Sequence, residues 1–314
     1  MYFLKNTKKY LMSSKIVVIG SSNMDLIMQV ERLPKPGETI TGGVFSRAFG
    51  GKGANQAVGA ARAGGQVGFI SCLGNDTFAT DMLANFQKDG MDTRYVFQEK
   101  DVATGTALIT VDGHGENCIT VAPGANHRLL PSHLDRAEDF IREAELVVLQ
   151  CEIHPDTLHY AIDKAAGLGK KILLNLAPAR PLTAEYLGKL HLLVVNETEA
   201  AMLTGLTVSN IEEAKAAAEK LLPQVAGGVI ITLGTQGSYV AVENMRELIP
   251  AFKVKAVDTT AAGDVYCGSL ATALVEGQSI AQAVRFASAA AAIAVTRLGA
   301  QPSAPGREEI EVLL

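Results

Sequence analysis

The sequence predicts an α/β fold: a doubly wound, mostly parallel central sheet flanked by helices, with a small inserted β-sheet as a lid. Three observations predict it. Short, continuous apolar runs recur along the chain, as strands buried on both faces require. Stretches with helical spacing separate them, the signature of parallel strands joined by crossovers. Two stretches with strand-like alternation break that rhythm, which suggests antiparallel pieces set apart from the main sheet.

Taken in order, Lys15–Gly20 (KIVVIG) is the first buried strand. Val67–Cys72, Leu146–Gln150, Lys171–Leu176, Leu192–Asn196 and Gly228–Leu233 are its equivalents further on. Helices are expected between them over Ala54–Ala63, Thr77–Asp89, Leu134–Glu143, Thr157–Leu168, Glu197–Leu203 and Ile211–Leu222. From Gly263 onward, GDVYCGSLATALVEG and SIAQAVRFASAAAAIAVTRLG form two helices rich in small residues, suited to close packing. The interruptions are Glu38–Arg47 (ETITGGVFSR) and Thr104–Ala122, where two alternating runs meet at Asp112-Gly113, a strong hairpin signal. These give lid segments at about 24–50 and 104–123, although an ordinary edge hairpin has the same pattern.

Composition narrows the function classes. A net charge of −5, with no concentration of Lys or Arg, argues against a nucleic-acid or membrane-surface partner. No apolar run approaches the roughly 20 residues a bilayer span needs. Residues 1–14 lack the apolar stretch of a secretory signal and are expected to form a disordered tail, or to reflect an upstream start with Met12 as the alternative, ahead of a folded domain over 15–314. Cys72, Cys118, Cys151 and Cys267 are widely spaced, which predicts four buried free thiols in a reducing cytoplasm. The six His residues form no H-E-x-x-H, so a zinc site is not expected.

A glycine-rich stretch with a lysine, AFGGKGANQA, invites a phosphate-loop reading, which counting rejects. A Walker loop needs Gly at position 46 and a hydroxyl after Lys52; Ser46 and Gly53 stand there. A dinucleotide fingerprint from Gly51 needs Gly at 56, where the residue is Gln56. The stretch is then a tight polar turn into a helix, serving either packing or a ligand. GSSNMD leaves the carboxyl end of the first strand, where open α/β sheets bind ligands. Asn23 and Asp25 are two apart and share a face if extended, as turn residues or as partners of a polyhydroxyl ligand. NETE (Asn196–Glu199) opens a helix at another strand end, for its dipole or for a water network around Mg²⁺. TLGTQG (Thr232–Gly237) is a turn with Gly at both ends. AVDTTAAGDVYCG is the most informative stretch: Thr259 and Thr260 can cap a helix, and small residues leave its first N–H groups open. Asp264 then stands beside them as a candidate base.

With GGKGANQA near the start and DTTAAGD near the end, the chain resembles the ribokinase family of sugar kinases over about residues 15–314. The resemblance implies phosphorylation of D-ribose at O5 by ATP, giving D-ribose 5-phosphate and ADP. The alternatives are another sugar, such as 2-deoxyribose or fructose, a nucleoside, or a catalytically silent sugar-binding protein. It implies Asp264 as the base and an anion hole from the N–H groups of Ala261, Ala262, Gly263 and Asp264. Asn23, Asp25, Gly51, Lys52, Asn55 and Glu152 match sugar contacts. Asn196, Thr232, Gly234, Thr235, Gly237 and Gly263 match the nucleotide site, and Glu199 the Mg²⁺ network. Asp258, Thr260, Ala294, Arg297, Gly299 and Ser303 match a monovalent cation site for K⁺, several through carbonyls. The resemblance also implies a homodimer through the lid. Three positions depart from the family pattern: Ala261 where many relatives have Gly, Ser288 where some carry His beside the adenine, and Leu176 in place of a Pro.

Overall fold

A computed structural model describes residues 15–314, so the predicted tail lies outside the described residues. The first half of the chain forms β1 (Ile16–Ile19), β2 (Asn23–Gln29), β3 (Val44–Gly50), α1 (Lys52–Arg62), β4 (Val67–Gly74), α2 (Thr77–Lys88), β5 (Asp92–Glu99), β6 (Gly105–Val111) and β7 (Asn117–Ala122). Then come α3 (Pro131–Arg136), α4 (Glu138–Glu143), β8 (Leu146–Gln150), α5 (Pro155–Gly167), β9 (Lys171–Asn175), α6 (Ala184–Leu187), β10 (Leu192–Asn196), α7 (Glu197–Thr204) and α8 (Ile211–Leu221). The chain closes with β11 (Gly228–Thr232), β12 (Ser238–Val242), β13 (Met245–Ile249), α9 (Ala262–Val275), α10 (Ile280–Ala294) and α11 (Arg307–Leu313).

The main sheet has nine strands in the order β13-β12-β11-β10-β9-β8-β1-β4-β5. Pairing is parallel from β11 to β5 and antiparallel at β11–β12–β13. Alternation along β1 shows why both faces are covered. Val17 and Ile19 join a core with α5, α7 and α8, while Ile16 and Val18 join one with α1, α2, α9 and α10. Strand order runs one way from β1 through β4 and the other way from β8 through β11. The switch therefore falls between β1 and β8, where a crevice opens at the carboxyl ends of the strands. A second sheet, β3-β2-β6-β7, stands over that end. Its β2 pairs with β3 antiparallel and with β6 parallel, with Asn23 opposite both Gly50 and Gly105.

Several expectations are corrected. β2, β5 and β13 carry no long apolar run, because an edge or one-sided strand keeps polar residues on its open face, whereas β12 (SYVAV) is a buried interior strand with an apolar run that was not among the expected strands. In the Glu38–Arg47 stretch only the segment from Val44 is a strand, and it runs on to Gly50. The helix expected over Leu134–Glu143 is two short ones broken at Ala137. The second C-terminal helix stops at Ala294, short of Gly299. The Asp112 hairpin forms, but its turn is longer than an Asp-Gly pair. Asp112 Oδ1 accepts from the N–H groups of His114 and Glu116, and Gly115 takes the positive φ of 85°. Cys72, Cys151 and Cys267 are buried free thiols, whereas Cys118 is exposed on β7, since the outer face of the small sheet has no layer above it.

Candidate active site

The glycine loop is built for close approach. Gly51 has φ +88°, and a Cβ there would lie 2.6 Å from the Asn23 nitrogen and 2.7 Å from the Ser22 Cα. The start of α1 thus rests on the β1–β2 turn. Ser21 fastens the two: its carbonyl accepts from Ala54 N–H (2.8 Å) and its Oγ accepts from Gly53 N–H (3.2 Å). Glu152, just past β8, accepts from Ser21 Oγ (2.5 Å) and from Lys52 N–H (2.9 Å). A carboxylate at that place complements the positive end of α1. Asn23 is buried, and its Oδ1 accepts from Asn126 Nδ2 (2.7 Å), while Asn126 Oδ1 accepts from Ser22 N–H (2.8 Å). Asp25 looks across the crevice toward Glu152 and Asp264. Burial and those two charges raise its pKa to about 7, against the pull of Lys52.

Asp264 is buried at the foot of α9, 6% exposed. Its Oδ2 accepts from Asn55 Nδ2 and its Oδ1 from Gln56 Nε2, both at 3.0 Å. Burial pushes its pKa up, while the Lys52 charge and the two amide donors pull down. Asn55 therefore serves the carboxylate directly. Lys52 forms no ion pair within 4.0 Å among the described residues, yet faces Asp264, Glu152 and Glu199. Burial disfavours its charge, but those carboxylates outweigh it and raise its pKa. It also lines a pocket of about 240 Å³ with Asn175, Asn196, Glu199, Thr232 and the Ala261–Asp264 turn.

Ala261 adopts the left-handed conformation (φ 58°, ψ 10°) as the residue before α9. That conformation costs an L-residue roughly 1–2 kcal/mol, and such strain collects at functional turns. No side chain caps the helix, so Thr259 and Thr260 do not play the capping role expected of them. The Ala262 N–H turns back to the Thr259 carbonyl (3.3 Å). The N–H groups of Ala261, Gly263 and Asp264 have no protein acceptor among the described residues. Of the four N–H donors that the resemblance implies, three thus lack a protein acceptor among the described residues. A Cβ on Gly263 would meet no protein atom within 4 Å. Gly263 borders both the 240 Å³ pocket and an apolar cavity of about 400 Å³. That larger cavity is lined by Gly234, Thr235, Gly237, Tyr266, Ser288 and Ala291 among others, with Thr232 at the junction. Its size and lining suit a nucleoside.

Asn196 and Glu199 cap α7 reciprocally. Asn196 Oδ1 accepts from Glu199 N–H (2.8 Å), and Glu199 Oε2 accepts from Asn196 N–H (2.9 Å). Burial raises the Glu199 pKa above the ordinary carboxylate range, against the Asn196 N–H and the Lys52 charge. Oε1 of Glu199 accepts no hydrogen bond among the described residues. No cluster of three His, Cys, Asp or Glu is present among them. One oxygen-rich, water-accessible wall suits a hard cation that keeps its waters, as Mg²⁺ does.

The K⁺ set is brought together in part. Asp258 accepts from Thr260 N–H and from Gly299 N–H, both at 2.8 Å, joining the turn before α9 to the loop after α10. Burial opposes its charge, but these donors outweigh it and lower its pKa. The carbonyl of Ala294 accepts from Arg297 N–H (3.0 Å). The Arg297 side chain turns away to Glu309, leaving only its backbone for an ion. Ser303 is buried and its Oγ donates to the Ala300 carbonyl (2.7 Å).

Gln56, Asn126, Asn175, Gln150 and Ser21 were not singled out by sequence reasoning. Asn175 carries the signal that Asn196 carries, a polar residue closing an apolar strand run. Gln56 carries none, because only the packing of α9 on α1 brings it to Asp264.

The pfkB family carbohydrate kinase pattern matches residues 13–307. A ribokinase of Haemophilus influenzae is 41% identical over 298 residues, 95% of this chain and 97% of its own. A deoxyribokinase of Salmonella typhimurium is 37% identical over 300 residues, 95% of this chain and 98% of its own. The solved Arabidopsis thaliana ribokinase complexed with ribose and ATP has a TM-score of 0.88 at 33% identity, covering 96% of this chain and 99% of that one.

Proposed function

Since the chain belongs to the pfkB family of carbohydrate kinases, we propose that it phosphorylates D-ribose at O5 with ATP, releasing D-ribose 5-phosphate and ADP. The observation that carries this reading is Asp264: a buried carboxylate beside three free N–H groups, between a polar crevice and a nucleoside-sized cavity. Asn23, Asp25, Glu152 and the Gly51–Asn55 turn supply the amide, carboxylate and backbone groups that hold sugar hydroxyls. Asp264 accepts the O5 proton as O5 bonds to the γ-phosphorus and the bond from that phosphorus to ADP breaks, the electron pair leaving with ADP. Phosphoryl transfer depends mainly on alignment and charge stabilisation. The Ala261, Gly263 and Asp264 N–H groups, with the α9 dipole behind them, supply that stabilisation, and Lys52 adds a positive charge on the same side. Asn196 and Glu199 would hold Mg²⁺ through its waters; when bound, the ion neutralises phosphate charge. Asp258, Thr260 and the carbonyls of Ala294, Arg297, Gly299 and Ser303 would hold K⁺ behind the anion hole and brace the turn.

The small sheet acts as a lid that excludes water and limits ATP hydrolysis. It also forms the surface of a homodimer: Phe45 and Leu108 are exposed on one of its faces and Val44, Ile119 and Val121 on the other, apolar groups that a partner sheet would cover. Three buried free thiols fit a reducing, cytoplasmic setting. The Salmonella relative supports one second reading, 2-deoxyribose as substrate. Measuring ADP release with ribose, 2-deoxyribose, fructose and a nucleoside, with and without K⁺, decides among them. The proposal expects the highest kcat/KM with ribose and stimulation by K⁺. A higher value with 2-deoxyribose replaces the substrate, and no ADP release with any sugar leaves a silent sugar binder.

A further inference from the structure

Gln56 is fully buried in the first turns of α1, a place where a glutamine needs a reason. Its Nε2 donates to Asp264 Oδ1 (3.0 Å) and to Asn175 Oδ1 (3.1 Å), and its Oε1 accepts from Gln150 Nε2 (2.8 Å). A primary amide has two N–H bonds and one carbonyl, so each of these groups has a partner. The three partners come from three elements other than its own: α9, β9 and β8. The Asp264 carboxylate, which can only accept, dictates which way round the Gln56 amide sits, and the Gln150 Nε2 donor then meets the Gln56 oxygen. On the other side, Asn55 holds Oδ2 of Asp264. Each carboxylate oxygen thus has one lone pair fixed and one left over.

We infer that Gln56 is a positioning residue: held by Gln150, it fixes the rotation of the Asp264 carboxylate and so aims the remaining lone pairs at the sugar hydroxyl. The inference rests on the assignment of Asp264 as the base. With both N–H groups and its oxygen partnered, the Gln56 amide is held in one arrangement, which a base needs and a core does not, whereas Gln150 Oε1 and Asn55 Oδ1 are buried without a partner among the described residues. The donor also favours the charged form of Asp264, the form that accepts a proton. Lys52 on α1, Glu152 beyond β8, Asp25 on β2, Glu199 on α7 and Cys267 on α9 also act on Asp264, and all remain in the variants below.

The test is the pH dependence of kcat and of KM for ribose in wild type, Gln56→Met and Gln150→Met, with thermal melting beside it. Gln56→Met is expected to lower kcat roughly tenfold, to leave KM within about twofold, and to move the acid limb of kcat up by about one pH unit. Gln150→Met, which frees the Gln56 amide to turn, moves the limb the same way by less. A lower melting temperature with the acid limb unmoved overturns the inference, because packing alone would do that. If Gln56→Met does not fold, an unmoved limb in Gln150→Met overturns it instead. Asp264→Asn separates the two levels. Near wild-type turnover by that variant removes the base assignment itself. An inactive Asp264→Asn together with an unmoved limb in Gln56→Met removes only the positioning role.

Discussion

Gly263 and Asp25 each separate stability from function at the level of one side chain. A Cβ on Gly263 meets no protein atom, and the position lies in the first turn of α9, where Ala is the better helix former by up to about 1 kcal/mol. Gly263→Ala should therefore melt at or above the wild-type temperature while kcat/KM falls at least tenfold, since the methyl occupies space reserved for the transferring phosphoryl group. Loss of stability with unchanged kinetics would contradict this. Asp25 has a folded pKa of about 7 against an ordinary 3.8, so between those values the folded state holds the extra proton. Its contribution is most favourable below about pH 4 and is lost as pH rises through 7. Asp25→Asn should thus raise the melting temperature near pH 8 by a few degrees, flatten the fall in stability between about pH 4 and 7, and weaken ribose binding. A variant that melts lower at pH 8 would refute that. Asn23, Asp25, Lys52 and Asp264 could be chosen from the sequence because each follows a strand end or a glycine turn. Their partners could not: Asn126 and Gln56 reach the site through contacts between residues about a hundred or two hundred positions apart.

Between elements, the contact of α1 with α9 sets the geometry of Asp264, the proposed base. A Cβ on Gly268 would sit 2.3 Å from the Gln56 carbonyl oxygen and 2.6 Å from the Ala60 nitrogen. These are backbone atoms that no rotamer change can move. Thr272 Oγ1 donates to the Ala60 carbonyl (3.0 Å), one turn further along α9. Gly268→Ala should force the helices apart, cost about 1–3 kcal/mol, and lower kcat by displacing Asp264 from Asn55 and Gln56. Unfolding in denaturant and steady-state kinetics check both halves, and wild-type values for either would show that the contact tolerates the methyl. The run of small residues over 262–275 signalled close packing, but a stripe of Gly and Ala does not name its partner helix. The strands of the parallel sheet were legible because burial on both faces leaves an unbroken apolar run. β5 and β13 were not, since edge strands such as DTRYVFQE carry charges.

At the scale of the molecule there are two sheets: in the proposed mechanism the nine-stranded one places the reacting groups at its switch point and the small one covers them. Phe45 is 59% exposed on the outer sheet, beside Val44. Sedimentation should give twice the chain mass, and Phe45→Glu should shift it to the single-chain mass with weaker ribose binding; a monomeric wild type would refute the dimer. The doubly wound order was readable from alternating runs, and so was the separateness of the small sheet. The parallel pairing of β2 with β6 was not, because it joins segments some 80 residues apart. The central claim is that Asp264 is the base of a ribose kinase. Its most direct test is the ribose-dependent kcat of Asp264→Asn, measured as ADP release with the fold checked by circular dichroism. The account predicts a folded protein with kcat lower by about 10²–10⁴-fold; turnover near the wild-type rate would contradict it.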